Sequence, residues 1–317
     1  MELRRLRLLH EFSRRGTVAA VAEALSYSPS SVSVQLAELE REAGTQLLRR
    51  VGRTLELTPA GVRLAGHAAS ALTADEAVLA ELAALSGTPR GRVRMTFVQT
   101  PALALLSTAL RELAETAPEL RVEVTHRETA PAIASLRSRE VDLVVGVDYD
   151  PVPVPRHRDV DRQDLIREAV LMCVPLDHPA AAAPGPISLA GFEHAAWAAD
   201  FPGSGHRTAL EHLCNRLGGY APDIVHHTDD ALIMRALVAS GRAVTILAAL
   251  IATATPQVAA RPIAEGAVHR TIFTATRVST VDAPAIQAVR RALRHAAERA
   301  TAGRADVKLL GAATRRA

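Results

Sequence analysis

Lysine is nearly missing from this chain: Lys308 is the only one in 317 residues, so the positive charge is arginine. Alanine is heavily used alongside it, which makes the bias a matter of G+C-rich coding rather than of function. Aromatic residues are 3% of the chain, which argues against a stacked aromatic ligand. The two cysteines, Cys173 and Cys214, have no CxxC or Cys/His spacing around them, which leaves structural zinc without support. They read as unpaired thiols in a reducing compartment, with a redox-switch disulfide as the alternative. Long apolar runs are also absent. The stretch from Ala243 to Ala252 is far short of a membrane span, so no membrane partner is expected. The first fifteen residues lack the apolar core and small-residue cleavage site of a secretion signal, which points to the cytoplasm.

What is present is unevenly distributed. The formal net charge is +3, and residues 1–66, with ten arginines against seven acidic residues, carry all of it. A basic surplus confined to one end is the footprint of a nucleic-acid-binding module. At this length two or three domains are expected.

The same end has the matching pattern. Leu3, Leu6, Leu9 and Phe12 repeat at helical spacing up to Gly16. Thr17 then caps a helix through Leu25, and Ser28, with Pro29 at the first position, opens a helix that Gly44 ends. The outer face of this third helix shows Ser30, Ser31, Ser33, Val34 and Gln35. Short hydroxyls permit close approach to the major groove, Gln35 suits an adenine edge, and Val34 suits a thymine methyl. An ordinary solvated face is the competing reading. A hairpin over 46–57 follows, with Arg49, Arg50 and Arg53 around a Val51–Gly52 turn, which reads as a phosphate-gripping wing or as a charged loop.

This segment resembles the LysR-type transcriptional regulators, bacterial winged helix-turn-helix proteins. The resemblance rests on Gly16-Thr17-Val18, Val21-Ala22, Leu25, Ser28, Val32-Ser33, Gln35-Leu36, Leu39-Glu40, Gly44, Leu47-Leu48, Arg50, Arg53 and Leu57-Thr58-Pro59-Ala60-Gly61. Pro29-Ser30 stands where the family shows Gln-Pro, Val34 where a basic residue is common, and Leu48 where phenylalanine is common. The missing cation at Val34 implies one fewer phosphate contact and a shallower salt dependence. The resemblance implies a dimer, or a tetramer built of dimers, that grips double-stranded operator DNA through Ser28, Ser30, Ser31, Ser33, Val34, Gln35, Arg49, Arg50 and Arg53. It further implies that an effector shifts the arrangement of the subunits.

From Thr58 to Ser86 a single linker helix is expected, with Val62, Ala65, Ala69, Leu72, Leu79 and Ala83 as its apolar stripe. That stripe either pairs with a second copy, as in the resembled family, or packs on its own chain. Gly87 to Gly91 reads as a hinge. Beyond it the pattern becomes β-α-β-α-β: strands at 92–98, 121–127 and 141–147, with helices at 100–114 and 130–139 between them. The proline-rich run Asp150–Arg156 crosses to a second lobe. There strands are expected at 169–175, 195–199, 224–227 and 243–247, with helices at 204–217 and 229–240. Strands at 258–262 and 269–276 are expected to return to the first lobe, and a helix at 283–299 to precede a mobile tail, 303–317. The expected architecture is therefore an N-terminal all-α winged helix-turn-helix (1–61), a long linker helix (58–86), a hinge (87–91) and a C-terminal α/β two-lobed periplasmic-binding-protein-like domain (92–302).

Two-lobed α/β domains bind ligands at the carboxyl ends of their strands, in the cleft. Three junctions qualify: Gln99-Thr100-Pro101, Phe201 to Gly205, and Thr228-Asp229. Each offers a helix start and a hydroxyl for a small polar or anionic metabolite. Thr100 and Ser204 are the best candidates, or else plain helix caps; Asp229 would repel an anion and suits a hydroxyl or amine. No GxSxG, GxxxxGK[ST], GxGxxG or HExxH occurs, so no catalytic residue, metal or cofactor is expected, and the chain reads as a regulator rather than an enzyme. The alternative is a solute- or small-molecule-binding module without DNA function.

Overall fold

A computed structural model describes residues 1–253 and 257–311. Two compact units emerge. One comprises Met1–Gly87 with the short segments Ser138–Glu140 and Ser279–Pro284, and the other comprises Thr88–Arg137, Val141–Val278 and Ala285 onward.

The first unit is built by local signals. Helix α1 (Leu3–Arg15) stops where Gly16 turns left-handed at φ 76°. Helix α2 (Val18–Leu25) begins where the Thr17 hydroxyl accepts from Ala20 N, and α3 (Pro29–Ala43) where Ser28 accepts from Ser31 N. Each cap satisfies an amide with no partner inside its helix. Leu6, Leu9, Phe12, Val21, Val32, Leu36 and Leu39 form the shared core. The hairpin pairs β1 (Leu48–Val51) with β2 (Thr54–Leu57), and Val51 faces Thr54. The turn is thus Gly52–Arg53, one residue later than expected, with Gly52 at φ 60° on the corner that favours glycine. Glu40 holds the hairpin to α3 by accepting from Leu47 N and Leu48 N at 2.8 and 2.9 Å. Helix α4 (Pro59–Ser86) then starts at Thr58, whose hydroxyl accepts from Gly61 N and donates to Gln46 O.

The expected stripe on α4 divides in two. Ala65 and Leu72 are buried, and the first half of the helix packs within its own unit through Ala65 and Ala68. Val62 and Leu79 are exposed, and Val78, Leu79, Leu82 and Leu85 form an uncovered apolar row in the second half.

The second unit opens with β3 (Gly91–Phe97), so Gly91 belongs to a strand rather than to the hinge. Helix α5 (Gln99–Pro101) runs through a π-helical turn, Ala102–Leu106, into α6 (Ser107–Thr116). Strand β4 (Leu120–His126), helix α7 (Thr129–Arg137) and strand β5 (Leu143–Tyr149) complete the β-α-β-α-β run, with β3 parallel to both β4 and β5. Strand β6 (Val160–Pro175) is more than twice as long as expected. Its first half reads Val-Asp-Arg-Gln-Asp, which hides a strand, because ion pairs rather than apolar alternation satisfy its side chains. Arg162 bridges Asp148 and Asp164 at 2.6 Å each, and Arg290 reaches Asp161 at 2.6 Å.

After β6 come the short helix α8 (Pro179–Ala182), strand β7 (Ala196–Ala199) and helix α9 (Gly205–Leu213) with its π-helical extension Cys214–Gly218. Strand β8 (Asp223–His227), helix α10 (Ala231–Ala239), strand β9 (Thr245–Ala248) and helix α11 (Ala249–Ala252) follow. Strand β10 (Val258–Arg261) pairs with Met172–Pro175 of β6, so it stays with the second lobe; only β11 (His269–Arg277) returns, pairing with β5. Helix α12 (Pro284–Thr301) ends before β12 (Val307–Leu309), which pairs with β6. Part of the expected mobile tail is therefore a strand, and 312–317 lie outside the described residues. No described helix is long and apolar enough to cross a membrane.

Candidate functional site

The third helix presents its predicted face outward. Ser30, Ser33 and Val34 are exposed, and Ser31 and Gln35 half-buried. Several hydroxyls already have partners. Ser28 caps Ser31 and lies 3.0 Å from the Ser30 hydroxyl, and Ser33 donates to Pro29 O. Gln35 is oriented by a residue the sequence did not single out: Arg5 donates its Nε to Gln35 Oε1 at 3.0 Å while pairing with Glu42. The Gln35 carbonyl keeps a second lone pair and its amide both donors, which is what a purine edge needs. In the hairpin, Arg49 shares Glu56 at 3.7 Å, whereas Arg50 and Arg53 form no ion pair among the described residues and stand exposed.

The second site is a cavity of about 230 Å³ between the two lobes of the second unit. Gln99, Thr100, Ser204 and Asp229 line it; Pro101, Phe201 and Thr228 flank it without lining it. Their roles differ from expectation. Thr100 is not a helix cap, since Val98 occupies that place; its buried hydroxyl accepts from Arg270 Nη2 at 2.7 Å. Ser204 spends its hydroxyl on Arg207 N as the cap of α9. The cap of α10 is Asp230, and Thr228 accepts from Asp230 N. Gln99 reaches across the cleft and accepts from Ala231 N at 2.8 Å.

The residue missing from the sequence reading is Arg270. It is 3% exposed and bonded to three parts of the chain: Glu168 at 2.9 Å, Thr100, and Tyr149 at 3.3 Å. Glu168, fully buried, also accepts from Leu250 N at 2.9 Å. Burial acts to lower the Arg270 pKa, but Glu168 and Tyr149 outweigh it and hold the guanidinium charged. Nearby His206 accepts from Asp200 N and bonds Ile246 O at 2.8 Å. Burial lowers its pKa, so it is the neutral imidazole with its proton on Nε2.

Residues 3–62 match the family model for the bacterial regulatory helix-turn-helix protein, lysR family, and residues 86–298 match the LysR substrate binding domain. This chain belongs to the LysR family. It is a DNA-binding transcriptional regulator with a C-terminal effector-binding domain, and not an enzyme. Among the proteins it resembles is the transcriptional dual regulator GltC of Bacillus subtilis, 28% identical over 78% of this chain and 80% of that one. The RuBisCO operon transcriptional regulator of Allochromatium vinosum is 31% identical over 69% of this chain and 70% of its own. In fold the LysR chain resembles a full-length OxyR variant from Pseudomonas aeruginosa (TM-score 0.64, 22% identity, 93% of this chain and 95% of that). It also resembles full-length CbnR in complex with its target DNA (TM-score 0.52, 24% identity, 94% and 100% covered).

Proposed function

We propose that this regulator reads a two-fold symmetric operator with α3, using Gln35 and Val34 on base edges and Ser28, Ser30, Ser31 and Ser33 for close approach. Arg49, Arg50 and Arg53 of the hairpin meet phosphates or the minor groove. The observation that carries this reading is the outward face of Ser30, Ser33, Val34 and Gln35 together with two hairpin arginines, Arg50 and Arg53, that have no ion-pair partner among the described residues. CbnR, similar over its whole length, was solved on its target DNA. The protein works in the cytoplasm as a homodimer or as a tetramer built of two dimers. The uncovered row Val78, Leu79, Leu82 and Leu85 on α4 supports pairing of linker helices, since such a row is buried by a second copy. The domain plan is a reading module over 1–61, the linker helix 58–86, a hinge at 87–90 and an effector domain that runs from Gly91 through β12.

The cleft cavity receives the effector. Gln99, Thr100, Ser204 and Asp229 touch it directly, and Pro101, Phe201 and Thr228 shape the rim. Gln99 already links β3 to the start of α10, so a ligand that competes for its carbonyl alters how the lobes close. Only an effector that binds one assembly state better than the other moves the equilibrium.

The test is a pair of substitutions. Gln35→Ala relaxes specificity at one base-pair position by about 1–3 kcal/mol, whereas Arg53→Ala weakens binding to every sequence alike and reduces the salt slope by about 1. An identical uniform loss from both would refute the assigned roles.

A further inference from the structure

The charge inside the cleft runs opposite to what a receptor for an anion needs. Three carboxylates, Glu128, Asp200 and Asp229, line the cavity, and no arginine or lysine lies within ion-pair distance of any of them among the described residues. The nearest basic group is His126, 3.8 Å from Glu128. The cavity's one arginine, Arg270, is neutralised from the other side by Glu168. His206 is neutral for the reason given above. Burial raises the Glu128 pKa and Asp200 and Asp229 push it further, against His126 and Arg270, so the three carboxylates share one field that the cations of the cleft only partly offset.

Asp200 gives the second, independent observation. It is 6% exposed, and one oxygen accepts from Phe201 N at 2.6 Å. The other oxygen has no hydrogen-bond partner among the described residues, and the side chain faces the cavity. That oxygen is not sealed in the protein but open to an apolar-walled cavity, where a donor bearing positive charge is its strongest partner. Among the described residues no three such side chains stand close enough to hold one metal ion, so the charge must arrive on an extended molecule. Val147, Met234 and Leu247 supply apolar wall for its hydrocarbon part.

We propose that the cavity takes a small organic cation, an amine or guanidine, whose charged group donates to Asp200 and Glu128 while Asp229 receives a second donor. The proposal rests on reading the cavity as the effector site. It reverses the expectation of an anion, because Thr100 and Ser204 spend their hydroxyls within the protein.

The experiment is calorimetric titration of the full-length chain at low salt with 1,4-diaminobutane and with succinate, its dianionic counterpart of similar length. The diamine binds saturably and succinate does not. Asp200→Asn and Glu128→Gln each weaken the diamine by about tenfold or more, while thermal unfolding of the unliganded variants shows them folded and no less stable than the parent, since each removes a repelling charge. Preference for succinate, equal diamine binding to parent and variants, or binding of neither probe overturns the proposal. Operator retention is measured with and without the diamine in parallel. Diamine binding through Asp200 with no change in operator affinity keeps the cation assignment and refutes the cavity's role as effector site.

Discussion

Replacing Glu168 with alanine isolates the ion pair at the centre of the effector domain. Glu168 is fully buried and Arg270 is 3% exposed, so neither charge is compensated by water. The substitution strands the guanidinium, which loses its 2.9 Å partner, and frees Leu250 N, which donated to the second carboxylate oxygen. Removing one partner of a buried pair costs about 3–5 kcal/mol, and an unsatisfied buried amide about 1–3 kcal/mol. These contributions overlap, so the expected loss is about 4 kcal/mol, near the middle of the buried-pair range. The double variant Glu168→Leu, Arg270→Met removes both charges at once and recovers most of that loss. The readout is urea unfolding followed by the fluorescence of Trp197, the chain's only tryptophan and fully buried in the second lobe. A loss below about 0.5 kcal/mol, the scale of surface substitutions, would refute the reasoning, as would a double variant no more stable than the single one.

Gly61→Ala places a methyl group 2.1 Å from the Leu47 carbonyl oxygen and 3.0 Å from Leu57 Cδ2; it destabilises the reading module by about 1–3 kcal/mol or more in thermal unfolding of that module. Cys173 and Cys214 are buried, and burial pushes their thiols up to about 12 and about 11. Both therefore resist alkylation by iodoacetamide at pH 8 in the folded protein and react once urea unfolds it. Burial raises the Asp142 pKa, but hydrogen bonds from Arg94 outweigh it and hold the carboxyl below its ordinary value. Its stabilisation is present above the unfolded-state pKa and fades as pH falls through the lower folded value. Asp142→Asn therefore costs about 1–3 kcal/mol at pH 7 and flattens the acid limb of a stability-versus-pH curve below about pH 4.

The reading module was legible because its instructions are local. Thr17, Ser28 and Thr58 each cap the helix they precede, and Gly16 and Gly44 each end one in a left-handed residue. The same holds for the first β-α-β-α-β run. What escaped were features set by distant partners. The first half of β6 is charged, and its partners Asp148 and Arg290 lie in other elements, so its period gave no strand signal. Strand β12 is three residues long and has too little pattern to be seen. The lobe of β10 is not written in its own residues, because its partner, β6, runs through both lobes. Arg270 was invisible as a site residue for the same reason: Glu168, Tyr149 and Thr100 lie 102, 121 and 170 residues away. Thr100 and Ser204 line the cavity between the lobes, but the use each makes of its hydroxyl depends on Arg270 and on the first turn of α9.

The most direct measurement is a mobility-shift titration of the full-length protein on DNA upstream of its own coding sequence, at two salt concentrations, beside an unrelated fragment of equal length. The account predicts tight, salt-sensitive binding to the upstream fragment and much weaker binding to the unrelated one. Equal affinity for both fragments at both salt concentrations would contradict it.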